Sequence, residues 1–273
     1  MSVLDAIVAR TRARLAEVPP DMDALARRLA DTPPPRDALA ALATDGQSRI
    51  IAEVKRRSPS RGTLQADADP VAFAREYTLG GAAAISVLTE PERFGGSFED
   101  LALVSGAVGV PTLCKDFVVD PRQVVMARAH GASLVLLIVA ALDDGALVGL
   151  REQIEGLGMH ALVEAHDRRE VDRAVASGAR IVGVNSRSLH TLVIDLAVAE
   201  GLRDAIPEPI VAVAESGIDG PADVVRLRAA GYRRFLVGTS LMTAPSPRAL
   251  LAELVAAGDA ASHAPGPGAG GSA

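Results

Sequence analysis

Six positions break an otherwise apolar pattern with groups able to move protons: Glu53, Lys55, Lys115, Glu164, Asn185 and Glu215. Each lies at the C-terminal end of a short run of Val, Ile, Leu and Ala, as in IIAEVK, TLCK and ALVEA. One such residue is as readily an exposed loop residue as a catalyst. Six at the same relative position point to a shared site. Lysines flanked by carboxylates hold an anionic substrate and then donate or accept protons, which is the equipment of general acid–base chemistry. The five histidines, His130, His160, His166, His190 and His263, form no HxH or HExxH pattern, so no metal site is expected. His166 is expected to cap a loop or face solvent.

Two further segments suit phosphate. Glu215-Ser216-Gly217-Ile218 and Gly238-Thr239-Ser240 each close an apolar run, and the second leads into a helix. Glycine lets backbone N–H groups approach an anion, although either glycine alone could simply turn the chain. The loop Lys55-Arg56-Arg57-Ser58-Pro59-Ser60-Arg61-Gly62 is basic and is expected to fold over an anionic small molecule.

These residues need a scaffold that brings strand ends together. Eight apolar runs recur: 50–54, 84–88, 111–114, 134–138, 161–163, 181–184, 210–214 and 235–237. Helical segments fall between them, over 70–80, 121–130, 143–156, 167–177 and 221–230. Runs that are apolar throughout suit strands covered on both faces, and their alternation with helices implies parallel βα units. The strand ends Lys55, Thr89, Lys115, Val139, Glu164, Asn185, Glu215 and Gly238 recur every 21 to 34 residues. Eight such repeats predict a (β/α)8 TIM barrel, whose active residues project from the C-terminal strand ends. A doubly wound sheet fits six strands better and opens on a glycine-rich turn that is missing here. Residues 1–48 read as an N-terminal helical extension, 49–257 as the catalytic barrel, and 258–273 as a disordered small-residue tail.

The 273-residue chain carries 49% hydrophobic and 23% charged residues with a net charge of −6. That acidity, with 3% aromatics and no Trp, disfavours nucleic acid as a partner. No apolar run approaches the roughly 20 residues of a membrane span, and the N-terminus lacks a signal-peptide core. Cys114 is the single cysteine, which favours a reducing compartment. A cytoplasmic monomer is expected.

The stretch IIAEVKRRSPSRG, followed by KDF, VEAHD, NSRSL, VAESGI and FLVGTSLM, resembles the indole-3-glycerol-phosphate synthase family across residues 3–255. The resemblance implies ring closure, decarboxylation and dehydration of 1-(2-carboxyphenylamino)-1-deoxyribulose 5-phosphate, with no cofactor and no metal. It implies that Lys115 is the general acid for the ribulose carbonyl and Glu164 the base of the dehydration half. Lys55 then contacts the substrate carboxylate and shares in proton transfer. Glu53, Asn185, Glu215 and Ser216 orient the lysines and sugar hydroxyls, and Arg187 lies near the anthranilate carboxylate. Ser58, Gly217, Gly238 and Thr239 form the phosphate cup. Phe94 and Phe117 are expected to wall the aromatic half, where relatives often add a tryptophan from the N-terminal segment that this chain lacks. Two rivals remain at this point. A Schiff-base aldolase using Lys115 would leave a borohydride-reduced adduct, and a non-catalytic phosphosugar-binding barrel would not turn over.

Overall fold

The computed structural model describes residues 2–43, 46–58, 62–189 and 191–260. Eight parallel strands close into a barrel: β1 (Arg49–Val54), β2 (Ala84–Leu88), β3 (Thr112–Lys115), β4 (Leu134–Ile138), β5 (His160–Ala165), β6 (Ile181–Asn185), β7 (Val211–Glu215) and β8 (Arg234–Val237). Each pairs with the next in chain order, and β8 returns to β1 with Ile50 beside Phe235. The TIM-barrel expectation holds. Each predicted run became a strand, with ends shifted by at most two residues.

Side-chain alternation sorts the strands into two cores. Ile50, Ala52, Val54, Val135, Leu137 and Val182 face outward and pack beneath the surrounding helices. Ile51, Leu113, Leu136, Leu162, Val213 and Leu236 face inward and fill the barrel. Stepping two residues up from the inward layer reaches Glu53, Lys115, Glu164, Glu215 and Gly238, so one alternation places core and chemistry on the same face. Cys114 falls on the outer face, buried against Thr89, as its position beside inward-facing Lys115 requires.

The outer helices include α4 (Pro70–Leu79), α5 (Phe98–Ala107), α6 (Pro121–Ala129), α7 (Asp144–Gly156), α8 (Arg168–Ala176), α9 (Leu196–Leu202) and α10 (Pro221–Ala229). Most begin on an aspartate cap, as at Asp69, Asp120, Asp143 and Asp167, whose carboxylate accepts from a first-turn N–H. A short antiparallel hairpin, Arg57–Ser58 with Gly62–Thr63, projects from the loop after β1 and has no counterpart in the sequence reading.

The N-terminal extension wraps the barrel from mouth to base. Helix α1 (Val3–Glu17) lies at the mouth, where Arg10 meets Glu92 at 2.7 Å in the loop after β2. Helix α2 (Met22–Asp31) runs along α6, and the Arg28 guanidinium donates to the carbonyl of Ala129. Helix α3 (Ala38–Leu42) sits under the opposite end, with Ala38 and Leu42 fully buried in the interior core and Arg234 donating to the Leu42 carbonyl.

The C-terminal boundary moves. Helix α12 (Pro247–Ala260) continues through the first three residues of the expected tail. Gly258 is buried where a Cβ would overlap Ser48, and the Asp259 carboxylate accepts from the Ser48 N–H at 2.6 Å. Those contacts hold 258–260 to the barrel base. The remainder of the expected tail lies outside the described residues. Among the described residues, no helix is long and apolar enough to cross a membrane.

Candidate active site

A cavity of about 140 Å³ opens at the barrel mouth. All the candidate residues line it, including Ser58, Arg187, Ser216, Gly217 and Thr239 from the surrounding loops. Its floor is ionic. Lys55 Nζ lies 2.8 Å from Glu53 Oε1, and Lys115 Nζ lies 3.3 Å from Glu164 Oε2 and 3.9 Å from Glu215 Oε2. Glu53, Glu164 and Glu215 are buried, so each carboxylate depends on these neighbours for its charge.

The three acids respond differently to that environment. Burial pushes Glu53 up, but Lys55 and Lys115 outweigh it and hold the carboxyl below the usual range. Glu164 follows the same balance further. Burial opposes ionisation, yet Lys115, His166 and the Asn185 amide hold it well below an ordinary carboxylate. Glu215 goes the other way, because burial and the charge on Glu164 outweigh Lys115 and push it well above the usual range. Two adjacent carboxylates facing one ammonium keep one proton between them. It rests on Glu215 because Glu164 is closer to Lys115 and has His166 on its far side. Lys115 loses charge stability to burial but is pushed above the ordinary lysine range by Glu164, Glu215 and Glu53.

Glycines make room for these groups. A Cβ at Gly183, on β6, would overlap the Glu215 carboxylate. At Gly238 a Cβ would stand 2.5 Å from Glu53 Oε1 and 3.0 Å from Lys55 Nζ. Gly238 was expected only as part of a phosphate cup. Its missing side chain also admits the Glu53–Lys55 pair, a dual use that appears only when β8 is laid against β1. Ser216 takes a left-handed φ of 66°, an uncommon conformation for a residue with a Cβ, and Gly217 follows at 80°. The turn presents the strand end to the cavity. Ser240 ties it to the neighbouring loop by donating to the Ile218 carbonyl at 2.9 Å.

The opposite wall is apolar. Phe94 and Phe117 stand with ring centroids 6.2 Å apart, beside Leu136 and Ile138 from β4. Helix α1 adds Val3, Leu4 and Ile7, aliphatic groups at the wall where a tryptophan is missing. Phe94 is placed by a residue the sequence reading passed over. The buried Glu90 carboxylate accepts from the N–H groups of Glu92, Arg93 and Phe94 at 3.1, 2.7 and 3.1 Å. Arg187 is anchored at the mouth, donating to the Leu192 carbonyl, while its backbone N–H donates to Asn185 Oδ1 at 2.9 Å.

His166 departs from expectation in part. Its ring does tie the loop to the start of α8 through Glu170, but it is largely shielded from solvent and also faces an acid of the floor. Its ring lies between Glu164, at 3.4 Å, and Glu170, at 3.0 Å. The spacing Glu164-Ala165-His166 gave a hint, since it places the imidazole just past an acid.

A family model and curated relatives agree on one family. Its sequence model, Indole-3-glycerol phosphate synthase, matches residues 4–254. The chain is 52% identical over 260 residues to the Streptomyces griseus protein named indole-3-glycerol phosphate synthase, covering 94% of this chain and 96% of the relative. A Beutenbergia cavernae protein of the same name is 49% identical with the same coverage, and one from Kineococcus radiotolerans is 56% identical over 77% of each chain. Among solved structures, 3-hexulose-6-phosphate synthase superposes with a TM-score of 0.62 at 17% identity, over 77% of this chain and 99% of the other. Thiamine phosphate pyrophosphorylase from Pyrococcus furiosus gives 0.61 at 18% identity, over 79% and 98%. At such identities these two bear on the fold alone.

Proposed function

This chain belongs to the indole-3-glycerol phosphate synthase family, and we propose that its charged floor and phenylalanine wall divide that family's reaction between named residues. The enzyme is a carboxy-lyase of tryptophan biosynthesis acting on a phosphorylated small molecule. Closing the five-membered ring requires the carboxylated ring carbon to attack the ribulose carbonyl. The oxygen then gains a proton while the ring loses its aromaticity as an iminium. That cation draws in the electron pair of the departing carbon dioxide, so the substrate supplies its own electron sink. Dehydration then expels the new hydroxyl as water, and a C–H proton leaves to complete the indole.

Two proton duties follow, and the floor separates them. Lys115 is the acid for the carbonyl oxygen, because its ammonium stands between Glu164 and Glu215 on the floor and is kept charged by Glu164 and Glu53. Glu164 is the base, because it is ionised while Glu215 keeps its proton. The closer contact of the Lys115 ammonium with Glu164, 3.3 Å against 3.9 Å to Glu215, is the observation that carries the assignment. Lys55, held by Glu53 through a carboxylate–ammonium contact, takes the substrate carboxylate together with Arg187. Glu53, Asn185 and Ser216 orient these groups, and Glu215 offers a hydroxyl-like donor to the sugar. Phe94 and Phe117 together wall the aniline ring on one side.

The phosphate sits where the loops after β7 and β8 meet. Helix α11 (Thr239–Thr243) opens there, and its first-turn N–H groups have no partner within the helix. Ser58 closes the cup from the loop after β1. Inorganic phosphate is therefore expected to compete with substrate, and Thr239→Leu to raise KM and weaken that inhibition together, with a smaller loss in kcat. Steady-state inhibition kinetics checks this, and an unchanged KM would remove Thr239 from the cup. Gly238 is a poorer probe, since any side chain there also displaces Glu53.

Formation of indole-3-glycerol phosphate from the named substrate, followed by indole absorbance, tests the whole reading, and binding without turnover would overturn it. The single Cys114 supports a reducing compartment such as the cytoplasm, and the monomer expected from the sequence is checked by sedimentation.

A further inference from the structure

We propose that His166 is a positioning residue: an imidazolium set between Glu164 and Glu170 that fixes the Glu164 carboxylate with its Oε2 edge towards Lys115. The inference rests on the assignment of Glu164 as the base.

Both ring nitrogens face a carboxylate oxygen. Nδ1 lies 3.0 Å from Glu170 Oε2, and Nε2 lies 3.4 Å from Glu164 Oε1. A neutral imidazole has one N–H and one lone pair, so either tautomer would aim a lone pair at a carboxylate oxygen. The protonated ring donates to Glu170 and sets a positive charge beside Glu164, without a hydrogen bond from Nε2. The contact to Glu164 is longer and less aligned than an ideal hydrogen bond, so its main effect there is charge.

His166 is held from behind. Glu170 occupies the third position of α8, and its N–H donates to the capping carboxylate of Asp167 at 2.8 Å. Its own carboxylate receives the His166 backbone N–H at 2.8 Å as well as the ring. Helix start, loop and imidazole thus form one unit with little rotational freedom. Glu164 is gripped on both edges, by His166 at Oε1 and by Lys115 at Oε2.

Charge around the ring favours this state. Glu164 on β5 and Glu170 on α8 touch it directly. A second cavity is lined by His166 together with Asp5 of α1, Asp167, Glu170, Asp195 at the start of α9, and Arg187. Acids outnumber the one arginine. Burial alone would discharge the ring, but the two glutamates push its pKa up to about 10. His166 is absent from the lining of the substrate cavity, so it acts through Glu164.

The sign of the linkage is fixed. A base whose folded pKa is raised stabilises the fold fully below the ordinary histidine value and loses that contribution as pH climbs towards 10. Removing the cation also raises the pKa of Glu164, so the acid limb of the kcat–pH profile moves to higher pH.

Nitrogen-15 NMR of histidine-labelled wild-type enzyme at pH 8 should show one ring with both nitrogens protonated. Glu170→Gln should lower the pH at which that ring titrates. If every histidine is neutral at pH 8, the proposal fails, whatever the activity data show. His166→Asn is expected to reduce kcat by up to about 10²-fold, the scale of a misplaced catalytic group. KM should stay near the wild-type value and the acid limb should shift upward. His166→Arg, which keeps a cation, should restore part of the loss. A uniform fall across all pH with an unmoved acid limb would overturn the proposal and leave His166 as packing. If His166→Asn does not fold, the wild-type and Glu170→Gln spectra decide alone. Charged His166 with full activity in Glu164→Gln would instead fault the base assignment and leave the ring's state intact.

Discussion

Lys115→Met should lower kcat by about 10² to 10⁴, the usual worth of a positioned general acid, while KM changes far less. Phosphate and carboxylate binding fall to groups that do not depend on Lys115: the loops after β7 and β8, Lys55 and Arg187. The size of the loss has two sources. The carbonyl oxygen loses its proton donor, and Glu164 loses the ammonium 3.3 Å away that keeps it ionised. With Lys115 gone, Glu164 titrates closer to neutrality, so the variant damages acid and base together. The pH dependence shows the second source. A carboxylate held below its ordinary value stabilises the fold above that value and loses the contribution as pH falls. In Lys115→Met the folded pKa of Glu164 rises towards or above its unfolded value, so that contribution disappears, and thermal unfolding of the variant should start from a lower stability at neutral pH and become less sensitive to mild acid than that of the wild type. Single-turnover kinetics with enzyme in excess separates chemistry from binding. Near-wild-type turnover would transfer the acid's role to Lys55.

Most of what places Lys115 was legible in the chain. The barrel follows from eight apolar runs at regular spacing, because a strand covered on both faces has no reason to alternate. The site follows from the same runs, because a polar residue two positions above Leu113, Leu162 or Val213 must share their inward face. What was hidden depended on contacts between distant segments. Helix α3 follows Pro33-Pro34-Pro35, a run that reads as a breaker, and forms because Ala38 and Leu42 can close the barrel base. Helix α9 spans seven residues with Gly201 inside, too short for a clear helical period. Gly238 looked like a phosphate glycine until β8 was seen against Glu53 on β1. His166 looked like a loop histidine because neither Glu164 nor Glu170 alone decides its charge. A sequence names acids and bases, but which of them carries a proton depends on distances of a few ångströms.

Glu164 and Glu215 make that last point measurable. Both are buried, both face Lys115, and both would ordinarily be scored as possible bases. If the shared proton rests on Glu215, glutamine is a close mimic of what is already there, a neutral group with one donor and one acceptor edge. Glu215→Gln should then cost much less than Glu164→Gln, which replaces a working carboxylate and should lower kcat by about 10² to 10⁴. The stage of the reaction that suffers is also set. Ring closure and carbon dioxide loss need the acid and the substrate's own iminium, whereas completion of the indole needs the C–H proton removed. A rapid-quench experiment on Glu164→Gln with carboxyl-labelled substrate should show carbon dioxide released well before indole absorbance appears. In Glu215→Gln the two should rise together. Adding Lys115→Met to Glu164→Gln should cost less than the two single losses combined, because Lys115 already sustains the charge that makes Glu164 a base. Equal damage from the two glutamine substitutions would mean that the proton is not held on Glu215. Carbon dioxide release slowed in step with indole formation in Glu164→Gln would move Glu164 ahead of decarboxylation.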